Sequence, residues 1–481
     1  MIQLRPLLFI VGLFLVALGV LMLVPALLMM LRQEGHWNAF MLAAAVTAFC
    51  GAVAVVFNRQ SEFSLSTRQA FVLTTLVWCS VSAFAALPLM FVEHIGFTDA
   101  FFETMSGITT TGATVLSGLE HHASGILLWR SLLQWAGGIG FIVMGVAILP
   151  FLRVGGMRLF QSESSDWSEK AFPRFASVAR AIAAIYLGLT VLGFLAYRMA
   201  GMDDFDALNH IMTTISTGGY STYDDSMGHF PQPAIHWVSV LFMLLGGLPF
   251  TLYIHALRGR PGLLWRDAQV RGFLGFVAFI SLVLIAWLWL RGDEGLGVIA
   301  TRVVFNVVSV ITTTGYVSHD YQSWGPFAAV VFFYLMFVGA CSGSTTGSIK
   351  VFRFQVAWML LRAQLHRLVH PTAVIRERYN GREIGDDVIR SIVAFSFFFG
   401  LTIGLLALGL AMQGLDFVTS LTAAVTSVTN VGPGLGDVVG PTGNFASLPD
   451  ASKWMLSAGM LLGRLEIMTV VVLFTPTFWK G

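Results

Sequence analysis

The 481-residue sequence is poor in charge: only 11% of its residues are Asp, Glu, Lys or Arg, whereas 56% are hydrophobic. A soluble protein carries about 25% charged residues on average. The deficit, together with 40 Phe and 13 Trp, excludes a soluble multidomain protein and indicates an integral membrane protein. Cysteine is also scarce, and the three cysteines lie in apolar runs without the spacing of metal ligands.

Long apolar runs make up nearly half of the chain. A run of about 20 apolar residues can cross the hydrocarbon core of a bilayer as a helix. Ten such runs predict an all-α protein with ten spans, at 7–31, 39–57, 69–91, 126–150, 177–197, 234–257, 272–290, 326–349, 388–412 and 454–476.

The charges are divided between the two ends of these spans. Because loops rich in Lys and Arg stay in the cytoplasm, the sequence predicts a cytoplasmic N-terminus and a multi-pass protein. Most of the 28 basic residues then lie inside, including Arg153, Arg158, Lys170 and Arg376, and most of the 26 acids lie outside. An acidic outer surface would concentrate cations near a pore mouth. The alternative is that acids simply avoid the inner side.

Four outer connections contain similar segments, each an apolar stretch followed by hydroxyl residues and a glycine: ETMSGITTTGA, HIMTTISTGGY, NVVSVITTTGY and AAVTSVTNVGP. The glycines that we take as equivalent, at nearly regular spacing, are Gly112, Gly218, Gly315 and Gly432. Such spacing predicts four copies of one unit. Each copy would contain a spanning helix, a short re-entrant helix of about ten to fourteen residues, an extended loop and a second spanning helix, since so short a segment cannot cross the bilayer.

Irregular backbone is tolerated at membrane depth only where it is buried in protein or lines a wet cavity, so the four loops should meet around one pore. Backbone carbonyls that point at the axis can replace the hydration shell of a cation. Glycine supplies the backbone angles for this arrangement, and Thr and Ser hydroxyls can hydrogen-bond the loop. The four segments carry no carboxylate in their loops, which favours a monovalent ion over Ca²⁺ or Mg²⁺. A single segment of this kind could also be an ordinary turn.

The sequence resembles the potassium-translocating subunit of the Trk/Ktr/HKT superfamily, specifically the bacterial TrkH type. The resemblance covers essentially the whole chain and rests on DAFFETMSGITTTGAT, LLQWAGGIG, VTNVGPGLG, RLVHP, GACSGSTTGSIK and GRLEIMTVVVLFTPTFW. It implies four linked M1-P-M2 repeats like potassium-channel subunits, plus two N-terminal helices. The implied bounds are 1–66 for the helix pair and 67–152, 172–258, 271–362 and 388–479 for the repeats. In the third repeat the resemblance implies a broken M2 helix with an intramembrane gating loop.

The resemblance also implies the function. Such proteins move K⁺, and often Rb⁺, inward across the bacterial inner membrane, usually as homodimers. The selectivity-filter residues that it implies are Thr110, Thr111 and Gly112; Ser216, Thr217 and Gly218; Thr313, Thr314 and Gly315; and Asn430, Val431 and Gly432. In the plant HKT branch a serine at the first glycine accompanies sodium preference, so Gly112 argues for potassium. A sodium-coupled or sodium-permeable member remains the closer alternative.

A glycine and hydroxyl cluster, GACSGSTTGSIK, interrupts the run at 326–349. By resemblance it is an intramembrane gating loop beneath the filter, whose moving part is Gly343, Ser344, Thr345, Thr346 and Gly347. The alternative is close helix packing through small residues. A charged side chain inside a membrane is functional by default, and by resemblance Arg464 reaches toward this loop. Pairing of Arg464 with Glu466 is the structural alternative.

The segment 350–387 is basic and suits contact with anionic lipid. The resemblance adds a soluble regulatory partner, the nucleotide-binding TrkA subunit. The chain itself has no nucleotide motif, because GSTTGSIK does not fit the phosphate-loop pattern. No cofactor is expected on this chain, and K⁺ would be its cargo.

An enzyme is the rival from another class. Cys341 and Ser342 lie beside small residues within an apolar run, as the nucleophile of an intramembrane serine protease would. A nucleophile needs a base within hydrogen-bond reach. The histidines lie in or near loops and span ends, and none is a convincing partner, so we expect no enzymatic activity.

Overall fold

The computed structural model describes residues 3–59, 66–147, 171–292, 294–372 and 377–480, and it is predominantly helical. Two long apolar helices come first, Arg5–Leu31 and Trp37–Phe57. They pack closely because a Cβ added to Gly12 would lie 2.7 Å from the carbonyl oxygen of Gly51. Small residues thus allow two helices to approach where lipid gives no hydrophobic driving force between them.

Four segments with one order of elements follow, here called units 1 to 4. Each has a long helix, a short helix, a loop and a second helix, which is bent or broken in units 2, 3 and 4. The long helices are Thr67–Val92, Ala171–Met199, Ala268–Trp289 and Asp386–Met412. The short helices are Phe97–Ile108, Asp204–Ile215, Leu296–Ile311 and Phe417–Thr429. The second helices begin with Ser124–Ala147, Pro233–Gly246, Pro326–Leu335 and Asp450–Arg464.

The long helices form the outside of the bundle. Their apolar side chains remain exposed, as at Leu192 (60%), Phe279 (62%) and Leu405 (61%), which is the pattern of a protein surrounded by lipid. The short helices are enclosed within the bundle, and most of their residues are buried. Three of them are 12 or 13 residues long, but Leu296–Ile311 has 16, so the expected length was wrong for unit 3.

Seven helices in the described residues are long and apolar enough to span a membrane. Two further predicted spans are bent pairs of helices. Pro233–Gly246 and Phe250–Leu257 meet at 92°, and Asp450–Arg464 and the stretch Ile467–Phe474 meet at 111°. The run at 326–349 is not one continuous helix: its helix ends at Leu335 after ten residues, before the glycine and hydroxyl cluster. A loop then runs between two short parallel strands, Val338–Gly339 and Ile349–Lys350.

The end of the bundle at which long helices lead into short helices is called the acidic face, and the opposite end the basic face. The basic face carries the helices Gly262–Arg266 and Val351–Val369 and the antiparallel hairpin Arg378–Tyr379 and Arg382–Glu383. The chain ends with Ile467–Val471, a 3₁₀ turn at Val472–Phe474 and Pro476–Lys480. Other 3₁₀ turns are Leu119–His121, Ser226–His229 and Tyr321–Trp324. Arg153, Arg158, Lys170 and Arg376 lie outside the described residues.

Candidate functional site: a ring of four loops and an intramembrane segment

Each short helix ends in the same way, although the sequences differ. The amide of the third residue past the helix donates to the carbonyl five residues earlier in units 1 to 3, as from Thr111 to Ser106 (2.9 Å) and from Thr314 to Ser309 (2.8 Å). Val431 donates to Thr426 in the same pattern in unit 4, at 3.1 Å. This bond closes the end of the helix, and the residue directly before the donor is left-handed. The left-handed residues are Thr110, Thr217, Thr313 and Asn430, with φ from 52° to 56°.

These matching bonds correct the register predicted for unit 2. Gly218 donates to Thr213 at 2.9 Å and is therefore the counterpart of Thr111, and Ser216 is the counterpart of Thr109. The glycine with a positive φ in unit 2 is Gly219 (81°). It matches Gly112 (85°), Gly315 (77°) and Gly432 (100°). The set Ser216, Thr217 and Gly218 was thus one residue too early, and the equivalent set is Thr217, Gly218 and Gly219.

The four loops, 109–112, 216–219, 312–315 and 429–432, form a closed ring and are called the ring loops. A Cβ added to each loop's glycine would collide with a backbone carbonyl of the next loop. Gly112 faces the carbonyl of Gly218, Gly219 that of Thr314, Gly315 that of Val431, and Gly432 that of Thr111, the last at 2.6 Å. The contacts run once around the ring in chain order and return to unit 1. Glycine is required at these positions both by the left-handed backbone and by the neighbouring carbonyl.

The electrostatics of the ring favour a cation. All four short helices point their C-terminal ends at it, so the partial negative charges of four helix dipoles converge there. The ring loops contain no acidic or basic residue. Their hydroxyls bond to one another, Thr109 to Thr111 at 2.7 Å and Thr312 to Thr314 at 2.8 Å. The ring can therefore offer an ion on its axis backbone oxygens, all of which carry a partial negative charge.

Gln134, on the second helix of unit 1, fills the space beside Gly218, where the other units carry a side chain. Gln134 Nε2 donates to the carbonyl of Gly218 at 2.7 Å, and its Oε1 accepts from the amide of Tyr220 at 3.0 Å. A Cβ on Gly218 would enter the space of the Gln134 carboxamide. Sequence reasoning did not assign a role to Gln134. A lone polar residue in the apolar motif LLQWAGGIG was the available signal.

A second group that sequence reasoning missed is the buried ion pair of Glu103 and Arg130. Arg130 Nε lies 2.8 Å from Glu103 Oε1, and both side chains are almost fully buried. Glu103 also accepts from the Val115 amide at 2.9 Å, and Arg130 donates to the carbonyl of Ser221 at 3.1 Å. A charge pair without solvent needs such additional bonds. The ion pair therefore connects the short helix of unit 1 with the segments that follow the ring loops in units 1 and 2.

The loop between the parallel strands of unit 3, with the strands themselves, is called the intramembrane segment, residues 338–350. It lies against the bend in the second helix of unit 2. The amides of Cys341 and Thr345 donate to the carbonyls of Gly247 (3.1 Å) and Gly246 (3.2 Å). The Phe250 amide donates to the carbonyl of Gly343 at 3.0 Å. Two breaks at membrane depth thus satisfy each other's backbone groups, as a bilayer requires.

The intramembrane segment also touches the ring loops. Thr217 Oγ1 lies 3.1 Å from Thr345 Oγ1, and the Gly347 amide donates to Thr313 Oγ1 at 2.8 Å. A Cβ on Gly347 would lie 2.6 Å from the carbonyl of Thr429. The segment therefore packs against units 2, 3 and 4 directly beside the ring.

Within the segment, Ser344 Oγ bonds to Thr346 Oγ1 at 2.8 Å, and Lys350 Nζ donates to the carbonyl of Thr346. These bonds hold the middle of the segment in one conformation, with Ser344, Thr345 and Thr346 fully buried. The five residues assigned by sequence to the moving part of a gate thus occupy the contact between the ring and the bend of unit 2.

Arg464 lies where the second helix of unit 4 bends. Its Nη1 donates to the carbonyl of Thr345 at 2.8 Å, and its guanidinium carbon lies 4.0 Å from the ring centroid of Phe141. The pairing of Arg464 with Glu466 does not occur. Glu466 pairs with Arg353 at 2.5 Å, because residues two apart do not face each other and the helix bends between them.

The arrangement around Ser342 does not resemble a catalytic site. Its amide donates to Gln269 Oε1 at 2.9 Å. Across the part of the chain that the structure describes, no histidine is hydrogen-bonded to Ser342, and no cluster of three His, Cys, Asp or Glu could hold a metal ion.

Comparison with known proteins agrees with this geometry. The family model described as a cation transport protein, TrkH, matches residues 36–480. The Trk system potassium uptake protein TrkI of Halomonas elongata is 50% identical over 99% of this chain and 97% of its own. TrkH of Escherichia coli (strain K12) is 37% identical over 98% of both chains. The crystal structure of the potassium transporter TrkH from Vibrio parahaemolyticus superposes with a TM-score of 0.92 at 36% identity, covering 100% of both chains. The relatives named here are transporters and not enzymes, and this chain belongs to the TrkH family of cation transport proteins.

Proposed function

We propose that this chain is the K⁺-translocating subunit of a Trk-type uptake system in the bacterial inner membrane. K⁺, or Rb⁺ in its place, would pass inward through the four ring loops. The ion-binding residues of the proposal are Thr110, Thr111 and Gly112; Thr217, Gly218 and Gly219; Thr313, Thr314 and Gly315; and Asn430, Val431 and Gly432. Ser216 directly follows the short helix of unit 2 and lies outside the proposed set.

The observation that carries the proposal is the ring of contacts between glycines and carbonyls. Four loops of one backbone conformation that meet edge to edge can place several backbone oxygens at similar distances from one axis. Such oxygens, aided by four converging helix C-termini, replace the water around a weakly hydrated monovalent cation. The relatives are named as potassium uptake proteins, which supports K⁺ as the cargo.

The intramembrane segment is the proposed gate. Gly343, Ser344, Thr345, Thr346 and Gly347 lie beside the ring, and Arg464 holds the carbonyl of Thr345. Two conformations of this segment would open and close the path without changing the ring. We assign the conformation of this structure to the closed state, in which the bond from Arg464 to the carbonyl of Thr345 would favour closure.

Partners complete the proposal. We place the basic face in the cytoplasm, with the N-terminus, because that end collects most of the Lys and Arg residues. A homodimer and a TrkA-like nucleotide-binding subunit are proposed by analogy with the family, since the relatives are named as parts of a Trk system. Any nucleotide would act through that subunit.

The experiment is uptake of radioactive rubidium into liposomes that contain the purified protein, with excess K⁺, Na⁺ or Li⁺ as competitor. We expect K⁺ to compete and Na⁺ not to. The variant Gly112→Ser should lose this distinction, because its side chain would displace the carbonyl of Gly218. Gly414→Ser is the matched control, since Gly414 has a similar φ of 88° and no neighbour within 4 Å. Equal competition by Na⁺ and K⁺ in the wild type would contradict the proposal, as would absence of uptake both with and without the regulatory subunit.

A further inference from the structure

Tyrosines follow the ring glycine in two of the four units. Tyr220 comes directly after Gly219, and Tyr316 directly after Gly315. Both are fully buried. Each hydroxyl reaches back to the preceding unit: Tyr220 donates to the carbonyl of Glu103 at 2.8 Å, and Tyr316 to the carbonyl of His210 at 3.0 Å.

The two acceptors are equivalent positions. Glu103 lies five residues before Ile108, the last residue of its short helix, and His210 lies five residues before Ile215. The same bond therefore joins unit 2 to unit 1 and unit 3 to unit 2. It leaves from the residue next to the ring glycine and ends on the neighbouring short helix, so it spans the joint between adjacent loops.

Each bond lies within a larger buried network. The Tyr220 hydroxyl also lies 3.2 Å from the carbonyl of Ala113, and its ring lies 4.0 Å from the guanidinium carbon of Arg130. The Tyr316 hydroxyl bonds to Thr213 Oγ1 at 2.5 Å.

A chain of hydroxyls extends the second network through unit 2. Tyr316 reaches Thr214 Oγ1 at 3.3 Å, Thr214 bonds to Tyr197 at 2.8 Å, and Tyr197 donates to Ser239 at 2.9 Å. Tyr197 lies on the long helix of unit 2 and Ser239 on its second helix. Tyr316 is thus connected to all three helices of the neighbouring unit.

The other two joints are built differently. The residues after the ring glycine there are Ala113 and Pro433, which have no hydroxyl. Unit 4 contacts unit 1 through Asn430 Nδ2 and Thr111 Oγ1 at 2.9 Å. Units 3 and 4 are joined farther from the ring by Gln322 Oε1, which accepts from the Gly436 amide at 2.7 Å.

We propose that Tyr220 and Tyr316 are specificity-determining positioning residues, whose hydroxyls fix the spacing of the ring loops of units 1, 2 and 3 and thereby the discrimination of K⁺ from smaller cations. The inference rests on the proposed function. A ring that is free to contract would hold Na⁺ as well as K⁺, whereas loops fixed at the joint cannot follow the smaller ion inward. Neither tyrosine touches the ion; each acts through the loop that precedes it.

The test compares Tyr316→Phe and Tyr220→Phe with Tyr321→Phe in rubidium uptake with Na⁺ or K⁺ as competitor. Phenylalanine keeps the buried ring and removes only the hydroxyl. Tyr321 is the matched control because it is fully buried and stacked on Phe332 at 4.0 Å, while its hydroxyl has no hydrogen-bond partner among the described residues.

We expect Tyr316→Phe and Tyr220→Phe each to reduce the preference for K⁺ over Na⁺ by about two- to tenfold, the range that corresponds to one neutral hydrogen bond. Tyr321→Phe should keep the wild-type preference. An unchanged preference in both variants would overturn the inference, and so would a parallel loss of all uptake at constant preference, which would indicate a merely structural role. The wild type separates the two proposals: failure of the wild type to take up rubidium both with and without the regulatory subunit refutes the proposed function, whereas selective wild-type uptake with unaltered variants refutes only the role of the tyrosines.

Discussion

In unit 1 the second helix runs without a break from Ser124 to Ala147, whereas in unit 3 the corresponding helix stops at Leu335 and leads into the intramembrane segment. Units 2 and 4 lie between these extremes, with bends of 92° and 111°. Before the ring glycine the four units share one backbone pattern. After it, each second helix takes its own course.

The four units are alike in their ring loops and unlike in their second helices, and these two properties suit ion binding and gating respectively. An ion on the axis needs oxygens at equal distances, and equal distances need four loops of the same conformation. A gate needs one element that differs from its neighbours. Because a break frees backbone groups that lipid cannot satisfy, the broken helices have to pair with one another, as Gly246 and Gly247 do with the intramembrane segment.

The largest expected effect comes from disturbing the ring loops, whose conformation the four units share. Gly112→Ala would place a Cβ against the carbonyl of Gly218 and force a left-handed backbone, which alone costs about 1–2 kcal/mol. Because the added Cβ displaces a carbonyl of the ring, uptake of rubidium in liposomes should fall by about tenfold or more. Gly414→Ala carries the same backbone strain in open space and should keep wild-type uptake. Equal losses in the two variants would show that strain, and not the contact across the ring, is responsible.

The second prediction tests the register of unit 2. Gly219→Ala should match Gly112→Ala, since Gly219 has a φ of 81° and faces the carbonyl of Thr314. Gly218→Ala meets only the flexible carboxamide of Gln134, so its loss of uptake should be smaller, about two- to tenfold. If Gly218→Ala proves the more damaging of the two, the originally predicted register is correct and the structural one is not.

The third prediction concerns the second helices and the intramembrane segment, which differ between the units. Arg464→Gln removes the bond to the carbonyl of Thr345, and a hydrogen bond to a charged group contributes about 1.5–3 kcal/mol. We expect basal rubidium uptake without a regulatory subunit to rise about tenfold or more, with the K⁺ preference unchanged. Arg291→Gln removes an arginine that packs on Trp287 at the acidic face and should have no effect. Unchanged or reduced uptake in Arg464→Gln would argue against a closing role.

The smallest effect should come from outside the ring. His122 Nδ1 lies 2.7 Å from Glu93 Oε2, and hydrogen bonding to this carboxylate raises the pKa of His122 above its ordinary value. The raised pKa means that the stabilisation is complete below about pH 6.5 and is lost as pH rises through the folded-state value. Thermal unfolding in detergent should therefore show slightly lower stability at pH 8 than at pH 6, by less than about 1 kcal/mol. The His122→Asn variant should lose this part of the pH dependence. An identical pH profile in wild type and variant would exclude the pair as its source.

The sequence alone could predict the membrane class, the four related segments and the glycines of units 1, 3 and 4, because apolar run length and the Thr-Gly pattern are local signals. Unit 2 was misregistered since STGG offers two adjacent glycines, and only the hydrogen bond from Gly218 to Thr213 distinguishes them. The partner of Glu466 was also hidden, since Arg353 lies 113 residues away along the chain. Hydropathy alone would make the run at 326–349 one span, and only its glycine and hydroxyl cluster indicated a break.

The support of the ring was predicted least well. Gln134, Tyr220 and Tyr316 act between units, and their roles depend on which loop each unit meets in the folded ring. Gly137 illustrates the same point: a Cβ there would strike the carbonyl of Ile108 at the end of the short helix of unit 1. Such contacts join distant parts of the chain and leave no periodic pattern.

The most direct measurement is anomalous X-ray scattering from crystals of the protein grown in Rb⁺. The account predicts Rb⁺ density on the axis of the ring, within coordination distance of the carbonyl oxygens of Thr111, Gly218, Thr314 and Val431, and its disappearance in the Gly112→Ala variant. Rb⁺ density elsewhere in the bundle with none at the ring would contradict the central claim that these four loops bind the transported ion.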